Sequence, residues 1–117
     1  MIQFICYPKC TTCGKAKKWL DDHGIEYELR DIKENNPSYD ELSAWYRLSG
    51  QPLKKFFNTS GLLYKSMELK AKLPAMSEAE QLKLLATDGM LVKRPLVIGD
   101  CFVLTGFKEG EWTEKLL

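Results

Sequence analysis

Tyr7-Pro8-Lys9-Cys10-Thr11-Thr12-Cys13-Gly14-Lys15 is the stretch of this chain whose residue types and spacing could do chemistry. The apolar run Ile2 to Cys6 before it reads as a strand, and Ala16, Trp19 and Leu20 after it fall on one helical face. A strand, a sharp loop and a helix opening at Cys10 place the first thiol at a helix N-terminus. There the unpaired backbone N–H groups and the helix dipole stabilise a thiolate. Cys13, one helical turn behind, can reach the same sulfur. Cys10 is therefore the candidate nucleophile and Cys13 the resolving thiol, with Lys9 and Lys15 as flanking cations. The competing reading is a pair of inert core thiols.

The elements that must position this turn follow in order. The first strand spans 2–7 and the first helix runs from about Thr11 to His23, stopped by Gly24. Ile25 to Asp31 alternates as a second strand, so the first 31 residues form a βαβ unit expected to be parallel and right-handed. Asn35-Asn36-Pro37 breaks the chain, and Ser38 with Glu41 forms a capping box for a helix carrying Leu42, Trp45 and Tyr46. A helical turn at Leu53 to Phe57, a turn at Asn58 to Gly61 and a helix from Leu63 to Lys72 come next. Ser77 and Glu80 then cap a helix that Asp88-Gly89 ends. Leu96 to Ile98 and Cys101 to Leu104 read as a hairpin around a two-residue Gly99-Asp100 turn, before a final helix from about Lys108 to Leu116.

This order, βαβ, helices only, then ββα, is similar to an α/β thioredoxin-like (glutaredoxin-type) fold. Its core would occupy about 1–35 and 90–117, with a helical insertion at about 36–89, all within one domain. In such a fold Arg94-Pro95 occupies the loop facing the reactive cysteine, which implies a cis Arg94–Pro95 bond and an arginine positioned to hold an oxyanion or carboxylate; the competing reading is a surface charge before a proline. Cys6 and Cys101, on expected central strands, read as buried small hydrophobes. Trp19, Trp45 and Tyr46 read as core, and His23 as a solvated helix-end group.

Composition bounds the rest. With 44% hydrophobic and 28% charged residues the chain is an ordinary globular domain, and a net charge of +1 offers no argument for direct nucleic-acid binding. No apolar run approaches the ~20 residues of a membrane span, and no signal-like segment precedes the first strand, so the expectation is a cytoplasmic protein with no membrane partner. One C-x-x-C and the single His23 fall short of the usual four zinc ligands, so no metal and no bound cofactor are expected.

Y-P-K-C-T-T-C-G-K-A-K-K-W-L, the F-N-T-S-G turn at Phe57 to Gly61, D-G-M-L-V-K-R-P-L from Asp88 to Leu96 and the closing V-L-T-G-F-K-E resemble the ArsC/Spx family nearly end to end. The resemblance implies catalytic roles for Cys10, Cys13 and Arg94, and substrate contacts from Lys9, Thr11, Thr12, Arg94 and Pro95. It is nearest to small arsenate reductase-like members, which implies a thiol-dependent oxidoreductase recycled by thioredoxin, glutaredoxin or a low-molecular-weight thiol. Arsenate reductases of the family hold the oxyanion with three arginines. Arg94 matches one, but the others would fall near Asn58 and Gly106, where this chain has none. At about 1.5–3 kcal/mol for each charged contact, arsenate binding is expected to be weakened. The Spx branch implies the alternative, a redox-sensing transcription regulator that binds the RNA polymerase α-subunit. Against it, the chain stops after its last helix, and Ser49-Gly50-Gln51-Pro52-Leu53-Lys54-Lys55 is basic where those regulators are acidic.

Overall fold

A computed structural model describes residues 1–117. β1 (Ile2–Cys6) pairs in parallel with β2 (Tyr27–Asp31), in the register Ile2 to Tyr27 through Cys6 to Asp31. On its other edge β1 pairs antiparallel with β3 (Leu96–Ile98), which pairs antiparallel with β4 (Val103–Thr105). The sheet order is β2-β1-β3-β4.

Period-two alternation divides the core between the two sheet faces. Phe4, Cys6, Val97 and Leu104 bury one face against α1 (Thr11–Asp22) and α6 (Glu109–Leu116), where Ala16, Trp19, Leu20 and Trp112 meet them. Ile5, Leu96 and Val103 bury the other face against the inserted helical segment. That segment holds α2 (Tyr39–Ser49), α3 (Leu62–Ser66), α4 (Leu69–Lys72) and α5 (Glu78–Thr87), with a 3-10 turn at Leu53–Phe56. The result is a three-layer α/β molecule of thioredoxin-like architecture. None of its helices is long and apolar enough to cross a membrane.

Local chemistry explains the helix starts. Ser38 and Ser77 each accept a hydrogen bond from the backbone N–H three residues on, and Glu41 and Glu80 accept one back, so both capping boxes form. Gly50 ends α2 in the left-handed region at φ 65°. The Arg94–Pro95 bond is cis.

Three sequence expectations need correction. The single helix expected over Leu63 to Lys72 is two short helices, because Glu68 takes a left-handed conformation (φ 54°) between them. The hairpin turn is longer than two residues: Gly99 N–H donates to the Phe102 carbonyl at 2.9 Å, and β4 begins only at Val103. Phe102 turns inward to pack with the α1/α6 core, so Cys101 is exposed in the turn rather than buried in a strand. β4 is moreover an edge strand. Cys6, Trp19 and Trp45 are buried and Tyr46 packs at the margin of the larger core, as their spacing implied. His23 is exposed at the end of α1, its Nδ1 2.8 Å from the Trp19 carbonyl.

Candidate active site

Cys10 is the N-cap residue of α1, with extended backbone (φ −86°, ψ 123°) and no side chain capping the helix start. The turn is closed instead by its own backbone. Cys10 N–H donates to the Tyr7 carbonyl at 3.0 Å, and Gly14 N–H donates to the Cys10 carbonyl at 3.1 Å. No acidic residue lies in the first turn, so the positive end of α1 is left to whatever sits at Cys10.

Cys13 lies inside, 2% exposed, and its sulfur accepts the Tyr7 N–H at 3.4 Å. It also shares a hydrogen bond with Cys6, which together with burial pushes the Cys13 thiol well above its ordinary range. The same bond holds Cys6 below its ordinary value against the opposing effect of burial. The Cys6 bond and burial both favour the protonated thiol at Cys13, against smaller downward pulls from the Tyr7 N–H and from Cys10. All four cysteines are free thiols.

Arg94 reaches the site from the far side. Its segment is pinned to the insertion: Phe57 bridges Val92, Asn58 N–H donates to the Leu91 carbonyl at 2.8 Å, and Lys93 N–H donates to the Phe56 carbonyl at 2.8 Å. The F-N-T-S-G turn therefore positions the Arg94 backbone. The guanidinium stands 5.2 Å over the Tyr7 ring, and Nη1 lies 3.8 Å from the Met90 sulfur. Its Nε is buried without a hydrogen-bond partner, and no carboxylate neutralises the group.

Cys10, Thr12 and Arg94 line one cleft of about 810 Å³ between the insertion and the core. Of the other residues expected to meet substrate, Lys9 and Thr11 are exposed and Pro95 is buried, and none of the three lines the cleft. Asn58 and Gly106, the positions without the expected arginines, do line it. Lys54, Lys55, Lys93 and Lys108 line it as well, and these were not singled out from the sequence as site residues. The adjacency of Lys93 to Arg94 and the basic Lys54-Lys55 pair were the available signals. What joins them is tertiary: the hydrogen bond from Thr105 Oγ1 to Gln51 Oε1 (2.8 Å) ties the hairpin to the insertion beside the cleft. Chemically the arrangement offers a free thiol at a helix start, a second thiol behind it and unneutralised cations in front.

Comparison with known proteins places the chain in a family. The ArsC family model matches residues 6–115. The uncharacterized protein YusI of Bacillus subtilis is 56% identical over 114 residues, 97% of each chain. The global transcriptional regulator Spx of Listeria innocua is 26% identical over 111 residues, 95% of this chain and 83% of its own length. A crystal structure of an ArsC family related protein from Bacteroides fragilis superposes with a TM-score of 0.95 at 57% identity, covering 97% of this chain and 95% of that one. With the model spanning both the Cys10 turn and the Arg94 loop, the chain belongs to the ArsC family.

Proposed function

We propose that this protein is a thiol–disulfide oxidoreductase that works through Cys10 and Cys13. The observation that carries the reading is the shared cleft: Cys10 at the uncapped start of α1 faces the same space as an Arg94 whose charge has no internal partner. The Cys10 thiolate attacks one sulfur of a bound disulfide and expels the other as a thiolate. Cys13 then loses its proton, attacks the Cys10 sulfur of the mixed disulfide and releases the second thiolate. The product is a Cys10–Cys13 disulfide, which an external thiol (thioredoxin, glutaredoxin or a small thiol) reduces by exchange. Cys13 is held protonated by Cys6 and by burial, so it does not compete with Cys10 for the first attack. An oxyanion such as arsenate could replace the disulfide as the electron acceptor. With Arg94 as the sole arginine on the cleft wall, we expect arsenate to be a poor substrate.

The test is trapping. Cys13→Ser incubated with a small disulfide should accumulate a stable mixed disulfide on Cys10, read by intact mass, while wild type passes on to the internal disulfide. No adduct on Cys10 in either protein would end the proposal. Arsenate-dependent NADPH oxidation with a thioredoxin or glutaredoxin coupling system measures the arsenate branch.

The similarity to Spx favours a second reading, a redox-sensing regulator that binds the RNA polymerase α-subunit. A pull-down with that subunit distinguishes the two: capture that depends on Cys10–Cys13 oxidation, without turnover, supports the regulator.

A further inference from the structure

The cleft beside Cys10 is built for more charge and more volume than one small oxyanion uses. Its cations come from three separate segments: Lys54 and Lys55 from the 3-10 turn of the insertion, Lys93 and Arg94 from the approach to β3, and Lys108 from the start of α6. Against these five cations the walls carry one carboxylate, Glu111. The molecule as a whole has a net charge of only +1, so the excess is concentrated here. Its three ion pairs, Lys17–Asp21, Lys18–Asp22 and Arg30–Glu41, use none of the five. Arg94 Nε is buried and unpartnered on the same wall. Gathering like charges around one concavity is unfavourable unless an anion relieves it, most of all at the half-buried Lys93 and Arg94, where solvent screens less than at the exposed Lys54, Lys55 and Lys108. The volume of about 810 Å³ falls in the range that houses small organic ligands, and a tetrahedral oxyanion fills one corner of it.

Gly106 contributes by lacking a side chain. It holds φ +77°, and a Cβ there would lie 3.0 Å from Lys93 Cε. The bare backbone leaves room for the Lys93 stem to cross toward the cleft beside Arg94.

We propose that this cleft binds a low-molecular-weight disulfide carrying at least two negative charges, one set against Lys93 and Arg94 and another against Lys54, Lys55 and Lys108, with its sulfurs presented to Cys10. The inference rests on the reading of Cys10 as the nucleophile and names the substrate class it acts on. Multiple charged contacts then select dianionic over neutral or cationic disulfides.

The experiment separates binding from reaction. Calorimetric titration of Cys10→Ser with dithiodipropionate (dianionic), hydroxyethyl disulfide (neutral) and cystamine (dicationic) measures affinity without turnover. Saturable binding of dithiodipropionate is expected, at least about tenfold tighter than either of the others and weakening as salt is raised. Adding Lys54→Gln with Lys55→Gln, or Lys93→Gln alone, should loosen the dianion by about three- to tenfold and leave hydroxyethyl disulfide unchanged. Lys93→Arg should restore most of the loss. Equal affinity for the three disulfides, or dianion affinity indifferent to the lysine substitutions, overturns the inference. Reaction of wild type with the same compounds, scaled to their rates with a free small thiolate, tests the other layer. Binding of the dianion without any adduct on Cys10 leaves the binding site standing and removes the oxidoreductase reading. Adduct formation with no charge preference, together with uniform affinities, does the reverse.

Discussion

In the proposed exchange, the hydrogen bond between Cys6 and Cys13 sets when the second thiol can act. Cys6 ends β1, and its thiol is the largest cause of the upward displacement of Cys13, ahead of burial. Cys6→Ala removes that cause, so Cys13 should ionise at lower pH and resolve a Cys10 mixed disulfide faster. In stopped-flow resolution of a preformed adduct, the alkaline rise in rate should move to lower pH, with a stability cost of about 1 kcal/mol for the small cavity. A pH–rate profile unchanged from wild type would show that Cys6 merely fills space. Gly106 gives a second prediction at this scale. Alanine there meets both an unfavourable φ of +77° and the Lys93 stem at 3.0 Å. Gly106→Ala should lose about 1–2 kcal/mol in urea unfolding, and a change under about 0.5 kcal/mol would mean the loop relaxes freely.

Arg30 joins β2 to α2, and so core to insertion. Its guanidinium donates to both Glu41 oxygens at 2.7 and 2.8 Å, and to the Asn35 and Asn36 carbonyls where the chain leaves the sheet. The arginine holds the Glu41 carboxyl down from the ordinary 4.5 to about 2. Because the folded-state value is depressed, this contribution is complete above pH 4.5 and is lost as pH falls through 2. Glu41 is partly exposed and solvent screens the pair, so Glu41→Gln should cost only about 1 kcal/mol at pH 7, with the capping box retained. The gap between the two urea curves should close between pH 4.5 and 2, and a gap constant down to pH 2 would assign it to something other than the charge. At Gly89, a methyl group would run into the Ile32 carbonyl oxygen, where the insertion returns against the end of β2. Gly89→Ala should therefore cost at least about 2 kcal/mol through overpacking, measured as a lowered urea midpoint. These elements also show what the sequence could disclose. The capping boxes at Ser38 and Ser77, the Cys10 turn and the parallel β1–β2 unit were legible because each is encoded within a few residues. The Glu68 break was not, since a left-handed non-glycine carries no local signature. Cys101 misled because which of two neighbours turns inward, it or Phe102, is decided by packing with α1 and α6. The lysines of the cleft meet only when the insertion folds against the hairpin, and no spacing announces that.

Across the whole molecule, the insertion and the sheet cannot be separated without exposing the larger core. Ile5, Ile32, Val92, Leu96 and Val103 bury one side of the sheet against Leu42, Trp45, Phe56, Leu82 and Leu85 of the insertion. At roughly 1.5–3 kcal/mol for each fully buried aliphatic or aromatic side chain, opening that contact forfeits more than the 5–15 kcal/mol by which a domain is usually stable. The insertion should therefore unfold with the sheet in one transition. The tryptophans make this measurable, because Trp45 lies in the shared core while Trp19 and Trp112 lie in the α1/α6 core. Variants retaining only Trp45 or only Trp112, followed by fluorescence in urea, should each match their own far-UV circular dichroism midpoint. A Trp45 transition more than about 0.3 M below its circular dichroism transition would mean the insertion opens alone. Such opening would dismantle the cleft, whose walls come from both parts, while leaving Cys10 on its helix. If unfolding is single instead, an anion bound in the cleft should raise both midpoints equally, since it binds only the fully assembled molecule.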